Sequence, residues 1–313
     1  MESASYFREA ARLGAEAGDA ARQGLALVNL ADTLNARDSV AAVQAATEAT
    51  VVLRRAGNRW ILAFAVENLV LALLATGDWN AADLRLTEAV EEFGLADIEL
   101  LGNARAWLEA LRGHGDEART IMSGLTDLAV TEDVQDRSGR SLINALIAHA
   151  EHRSGEACAL ATEVLDAMSV LGAGTDLIRW SWPLACRSAH EANDTAAIER
   201  LLALIANYQQ GELPPVLHAE RELTLARLAA QRGETGASDQ LQAAIATMRR
   251  SSTPYHLAHG LLDDAEHLSA TGRATEALAL IDEARRIGEQ LGATPLIDRA
   301  AVVLSTSQTR ASV

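Results

Sequence analysis

The sequence is poor in cysteine, proline, aromatic residues and positive charge, and each shortage excludes a class of protein. Two cysteines, Cys158 and Cys186, are too few for a disulfide framework or a cysteine-built zinc site, and they suit a reducing cytoplasm. Five prolines in 313 residues leave long stretches free of helix breakers. Aromatic residues make up 4% of the chain, so its 49% hydrophobic content is mainly Ala, Leu, Val and Ile. That composition suits closely packed helices and supplies few large side chains for a single globular core. Twenty-seven Lys and Arg stand against 43 Asp and Glu, a formal charge of −16. Such a balance argues against binding along a nucleic-acid backbone or on an anionic membrane, leaving room only for a local basic groove.

Other signals are missing too. Residues 1–18 carry Glu2, Arg8, Glu9, Arg12 and Glu16, which no secretory leader would. The most membrane-like stretch, Trp60 to Ala75, has Glu67 and Asn68 at its centre and reads as a buried helix of a soluble fold. Nothing alternates with period two long enough to demand a strand. No Gly-x-x-x-x-Gly-Lys-Ser/Thr phosphate loop occurs, and no Cys–His or Ser–His–Asp order stands out. The chain is therefore expected to be non-catalytic, without cofactor or resident metal.

What the sequence does have is a repeat. Turn signals recur at Gly77, Gly115, Gly155, Asn193, Gly233 and Gly272, each but Gly233 followed by an Ala-rich segment such as Asn80-Ala81-Ala82 or Glu156-Ala157. A second series lies between them at Gly18, Gly57, Gly94, Gly172, Gly211 and Gly292. Two interleaved turns in a period of about 39 residues mean two helices per repeat. In Thr275–Leu291 the apolar Ala277, Leu280, Ile281, Ala284, Ile287 and Leu291 fall at helical spacing with charged residues largely between them. The expected fold is an all-α, α-α superhelix of about seven helix pairs, beginning near Asp19, Asn58, Leu95, Glu132, Thr175, Pro214 and Pro254. A helix over Ser3–Leu13 and another after Pro295 would cap the two ends. The chain reads as one solenoid over residues 1–313, with residues 209–215 the best candidate hinge.

The unit around Gly77 resembles a tetratricopeptide repeat through Asn68-Leu69, Gly77-Asp78-Trp79, Ala82, Leu86 and Ala89. The unit ending at Ala284 matches through Gly272, Ala277 and Ile281. The period exceeds that family's 34 residues, and the spacing after Gly155, Asn193 and Gly233 is one residue short. The segments Ile178–Leu184, Thr253–Ala258 and Leu291–Ala300 are similar to the carboxy-terminal helical region of large actinobacterial regulators. That resemblance implies a sensor region belonging with an ATPase or another effector domain in a longer parent, and it carries over no catalytic residue.

The family pattern buries one first-helix position and turns others to the concave groove. It makes Trp182 core and sends Trp180 to the groove, while Pro183 kinks the helix or delays its start. Groove positions are then Asn103 and Trp107 in repeat three, and His149 and His152 in repeat four. Trp180, Arg187 and His190 follow in repeat five, then Glu220, Arg227 and Gln231 in repeat six. His149 with His152, and His256 with His259 and Asp263, have same-face spacing that can hold a metal, but each lacks an obvious completing ligand. Arg187 and Arg227 lie one period apart, so their guanidiniums make either a fork for a carboxylate or phosphate, or ion pairs with acids such as Glu191 and Glu220. The sequence therefore points to a binding module for a protein or peptide bearing an acidic or aromatic group, with Trp180, Arg187, Arg227, His190, Trp107 and Asn103 as its contacts. A small-molecule receptor is the alternative. A closed pocket with convergent polar groups favours the receptor, and an open groove favours the scaffold.

Overall fold

A computed structural model describes residues 2–93, 99–125, 131–209 and 211–311. Among them there are helices and turns and no strand. Seven helix pairs follow one another: Ala20–Asn35 (α2) with Ser39–Ala56 (α3), Arg59–Thr76 (α4) with Trp79–Phe93 (α5), Glu99–Arg112 (α6) with Gly115–Gly124 (α7), Val134–Ala150 (α8) with Ser154–Asp166 (α9), Asp176–Glu191 (α11) with Thr195–Ile205 (α12), Pro215–Gln231 (α13) with Ala237–Ser251 (α14), and Pro254–Ala270 (α15) with Ala274–Leu291 (α16). Glu2–Glu16 (α1) precedes them, Thr294–Ala311 (α17) follows, and a single turn, Met168–Leu171 (α10), sits between pairs four and five. The turn expected at Gly94 and the pair start at Leu95 lie outside the described residues, as does Gln210 of the candidate hinge.

Local chemistry sets these limits. Asp19, Asp38, Asn58 and Asp194 each accept a bond from a backbone N–H three residues on, capping a helix start. Gly57 and Gly77 end α3 and α4 in the left-handed region, where a side chain would be strained. Two expected turns move. Gly115 opens α7 and Gly155 lies inside α9, and the positive φ values belong to Gly113 and to His152, at 60°. With that correction Gly77 and Ala82, Gly113 and Ala118, His152 and Ala157, and Gly272 and Ala277 are each five residues apart, so repeat four is not short. Those four alanines are fully enclosed. Only a methyl group fits where each second helix crosses its partner, which is why Ala recurs after each turn.

The contacts divide the chain into two compact units, residues 1–109 with 116–132, and residues 110–115 with 133–313. In unit 1 each helix from α1 to α4 packs on its successor, and α2 also packs on α4. Asn68 Nδ2 donates to the Val28 carbonyl at 3.0 Å, tying these two first helices together. The apolar α4 is the one described helix long and apolar enough to cross a membrane, and more than half of it is buried between its neighbours. In unit 2, α8, α11 and α13 each pack on the next first helix as well as on their own pair, and α15 packs on α16 and on the terminal α17. The 209–215 segment lies within unit 2. Pro183 neither delays nor ends α11, which runs unbroken from Asp176 to Glu191. Trp182 is core as expected: its Nε1 donates to the Leu201 carbonyl of α12 at 2.9 Å.

Candidate functional site

The first helices of unit 2 bring together a polar interior instead of an open groove wall. Trp180 and Arg187, expected to face a groove, are each 3% exposed. The expectation of an open wall is corrected here: α11 is buried from Leu177 to Ala189, because α8, α13 and α15 leave it little free face. The Trp180 ring stands 4.8 Å from His256 and 5.7 Å from Tyr255, centroid to centroid. Tyr255 meets His259 edge-on at 4.8 Å, and His259 lies 5.9 Å from His149. A column of rings thus runs from α11 along α15 to α8. His152 is not part of it, since it ends its helix at the surface.

The two arginines one period apart have different surroundings. Arg227 Nη1 lies 3.1 Å from Asp263 Oδ2, close enough to pair but not aligned for a hydrogen bond. Arg299 of α17 donates to the other oxygen, Asp263 Oδ1, at 2.5 Å, and also reaches Glu266 at 3.0 Å. Burial pushes the Asp263 carboxyl up, but the two guanidiniums prevail and hold it below its ordinary value. Neither acid expected to pair with these arginines does so. Glu191 instead accepts from Ser154 at 2.8 Å and lies 3.4 Å from His149 Nδ1. Burial would raise Glu191, yet these contacts hold it at about 2.

Arg187 has no ion pair among the described residues, and its Nε has no hydrogen-bond partner. Its charge acts on Glu220, Tyr255, His256 and His259. Burial lifts Glu220 to about 7 in spite of Arg187, and its Oε1 is also without a partner. Burial first, then Arg187 and Arg299, keep His259 neutral. Arg299 Nη1 stands 3.1 Å from His259 Nδ1 and can only donate, so the single ring proton belongs on Nε2. That Nε2 is a buried donor with no acceptor. His190 is the converse. Burial, then Arg227, lower it to about 3, and its other ring nitrogen donates its N–H to the Thr224 backbone, leaving Nε2 as an unfilled acceptor.

A polar pocket of 260 Å³ opens beside this cluster, lined by His190, Asn193, Arg227, Asp263, Glu266 and His267. The remaining two predicted contacts lie in unit 1. Trp107 is buried, and Asn103 is half-buried with an unpartnered Oδ1. Sequence reasoning missed Tyr255 and Arg299 and treated His259 and Asp263 as a separate metal question. The one-period register that linked Arg187 to Arg227 leads on to His267 and Ser307, and so passes Asp263 and Arg299, which lie about one and two helical turns earlier on their helices. No protein-family model matches the chain, and no curated protein matches it.

Proposed function

We propose that this chain is a non-catalytic regulatory repeat module whose unit 2 receives a small polar molecule. Supporting that reading is one observation: His190 Nε2 and Asp263 Oδ2, buried polar atoms without a hydrogen-bond partner, belong to residues that line one polar pocket. Buried polar groups normally find partners, and a cluster that lacks them favours a ligand or ordered water in that place. An open peptide track would instead keep Trp180 and Arg187 at the surface, so the receptor reading is preferred to the scaffold. At 260 Å³ the pocket is smaller than most ligand sites, roughly 300–1,000 Å³ in general, and has room only for a molecule of few heavy atoms. The interior nucleophiles do not favour catalysis: burial raises both the Cys186 thiol and the Tyr255 hydroxyl away from their reactive forms. A cytoplasmic setting, which the two cysteines suit, and an effector domain in a longer parent, which the resemblance implies, belong to the same proposal.

The test is a thermal-shift screen of the intact chain against small polar metabolites, with native mass spectrometry of freshly purified protein. A saturable rise in Tm is expected, lost when His190→Phe fills the pocket. Failure of every small molecule, together with a peptide that binds and leaves unit 2 unprotected from hydrogen exchange, would overturn the receptor reading.

A further inference from the structure

We infer that the molecule received by the unit 2 pocket is a small uncharged polyol, with one hydroxyl donating to His190 Nε2 and another to Asp263 Oδ2. This deepens the receptor reading above and rests on it. His190, Arg227, Asp263 and Glu266 line one pocket of 260 Å³. Two of them bring buried polar atoms with no hydrogen-bond partner, His190 Nε2 and Asp263 Oδ2, and the Asp263 side chain is 1% exposed. Both atoms are acceptors. The His190 ring is neutral, held at about 3 by burial and then by Arg227, and its other nitrogen donates to the Thr224 backbone. Asp263 is ionised, because Arg227 and Arg299 outweigh its burial. A ligand of this pocket therefore brings donors at two points.

The charge balance selects a neutral molecule. Arg227 at 3.1 Å and Arg299 at 2.5 Å pair with Asp263, and Arg299 reaches Glu266 at 3.0 Å, so two cations face two carboxylates. The further charges felt here come as one of each sign. Arg187 acts on Asp263, and Glu191, held at about 2, acts on His190. Glu220, lifted to about 7, is largely protonated at pH 6. The sum is then zero, and an ionic guest would enter without a counterion. A metal is disfavoured by distance: among the described residues, His190, Asp263 and Glu266 do not bring three ligand atoms within 4.8 Å of one another.

Among neutral donors the hydroxyl answers this geometry. Arg227 Nη1 faces Asp263 Oδ2 without the alignment of a hydrogen bond, and the Arg227 side chain is 16% exposed, which gives it room to yield. An oxygen entering between them accepts from the guanidinium while donating to the carboxylate, which an amide nitrogen cannot do. A second hydroxyl serves His190, so two are the minimum. His267 is already tied to Ser238 at 2.7 Å, while Asn193 and Gln231 add amide groups to the lining for any further hydroxyl.

The experiment is an NMR titration of the intact chain at pH 6, following the His190 ring nitrogens in long-range ¹⁵N spectra. The probes are glycerol and erythritol for a free polyol, methyl glucoside for the end of a sugar, 1-propanol as a single hydroxyl, and acetate and methylammonium as ions. Expected is a saturable movement of the His190 Nε2 resonance with a polyol while Nδ1 keeps its proton; general stabilisation by excluded polyols neither saturates nor moves one resonance. Propanol and both ions should bind about tenfold more weakly or not at all, and His190→Leu should weaken polyol binding by about tenfold, the loss of one hydrogen bond. His190→Gln, whose amide oxygen restores an acceptor, should recover part of it. The wild-type Nε2 resonance keeps the test alive should His190→Leu fail to fold. Response to methyl glucoside alone assigns the hydroxyls to a sugar, and response to glycerol or erythritol alone to a free polyol. Polyols that bind and leave Nε2 unmoved, propanol as tight as glycerol, or affinity unchanged in His190→Leu would overturn the inference. Acetate or methylammonium bound in a His190-dependent way while polyols fail would sink the polyol and leave the receptor reading standing. Silence from all probes and from the metabolite screen would end both.

Discussion

Replacing Asp263 by Asn removes one charge while keeping the side chain's shape, and it tests the polar interior where its geometry is best defined. The Asp263 side chain is 1% exposed and is shared by Arg227 at 3.1 Å and Arg299 at 2.5 Å. Breaking a buried pair by deleting one partner costs about 3–5 kcal/mol, because the remaining charge stays in a poor solvent. Two guanidiniums are stranded here, which argues for the upper end. They are not fully enclosed, however, at 16% and 17% exposure, and Glu266 still serves Arg299. We therefore expect a loss of about 3 kcal/mol at pH 7, read by urea titration with hydrogen exchange in α15 and α17 as the local probe. The pH dependence has a definite sign. Asp263 is held below its ordinary value of 3.8, so its stabilisation is complete above that value and is lost as pH falls through the folded value. The gap between wild type and Asp263→Asn should narrow in that direction. The triple change Asp263→Leu, Arg227→Met, Arg299→Met should recover most of the loss. A cost under about 1 kcal/mol for Asp263→Asn, or a triple variant worse than the single one, would refute the claim that buried charge governs this region.

Three further outcomes follow from the same contacts. Burial raises Glu220 from 4.5 to about 7 against the pull of Arg187, so the folded chain keeps a proton that the unfolded chain releases across that window. Stability falls as pH rises through it, and Glu220→Gln should match wild type near pH 4 and exceed it by about 3 kcal/mol at pH 8 in urea titrations. A Cβ on Gly260 would stand 2.7 Å from Met248 Sδ and 3.1 Å from Ile245 Cδ1, so Gly260→Val should destabilise by about 1–3 kcal/mol in the same assay. Trp182→Phe removes the bond to the Leu201 carbonyl and leaves space between α11 and α12, with an expected loss of about 2 kcal/mol and faster exchange in α12.

The repeat was legible because turns and helix crossings leave local marks. Positive φ falls at Gly57, Gly77, Gly272 and Gly292 as read, and at Asn193, which stood in the series without being glycine. Gly115 and Gly155 misled because glycine also fits a helix's first turn, while His152 was accepted in the left-handed region with no compositional mark. The alanine five residues on was the better ruler, since a helix crossing constrains size where a turn constrains only backbone. The site was legible in direction and not in depth. Periodicity placed Trp180, Arg187, His190 and Arg227 on one face of successive helices. How closely α11, α13 and α15 approach depends on packing that no single segment encodes, so enclosure could not be read. For the same reason the bonds of Arg299 to His259 and Asp263, across one repeat, left no mark in either segment alone.

Several bonds in unit 2 join residues one repeat apart: Ser188 with His149, Arg299 with His259, and Ser269 with Ser307 at 2.6 Å. Alanine and leucine faces are interchangeable, so a purely apolar array tolerates a repeat added, lost or borrowed from another molecule. These polar contacts make the repeats of unit 2 individuals. A stack lacking its last pair, α15 with α16, would deprive Arg299 of His259, Asp263 and Glu266 together, so the identity of that last repeat is checked by charge. The neighbours of α8, α15 and α17 are thereby specified in a way that turn spacing alone does not reveal.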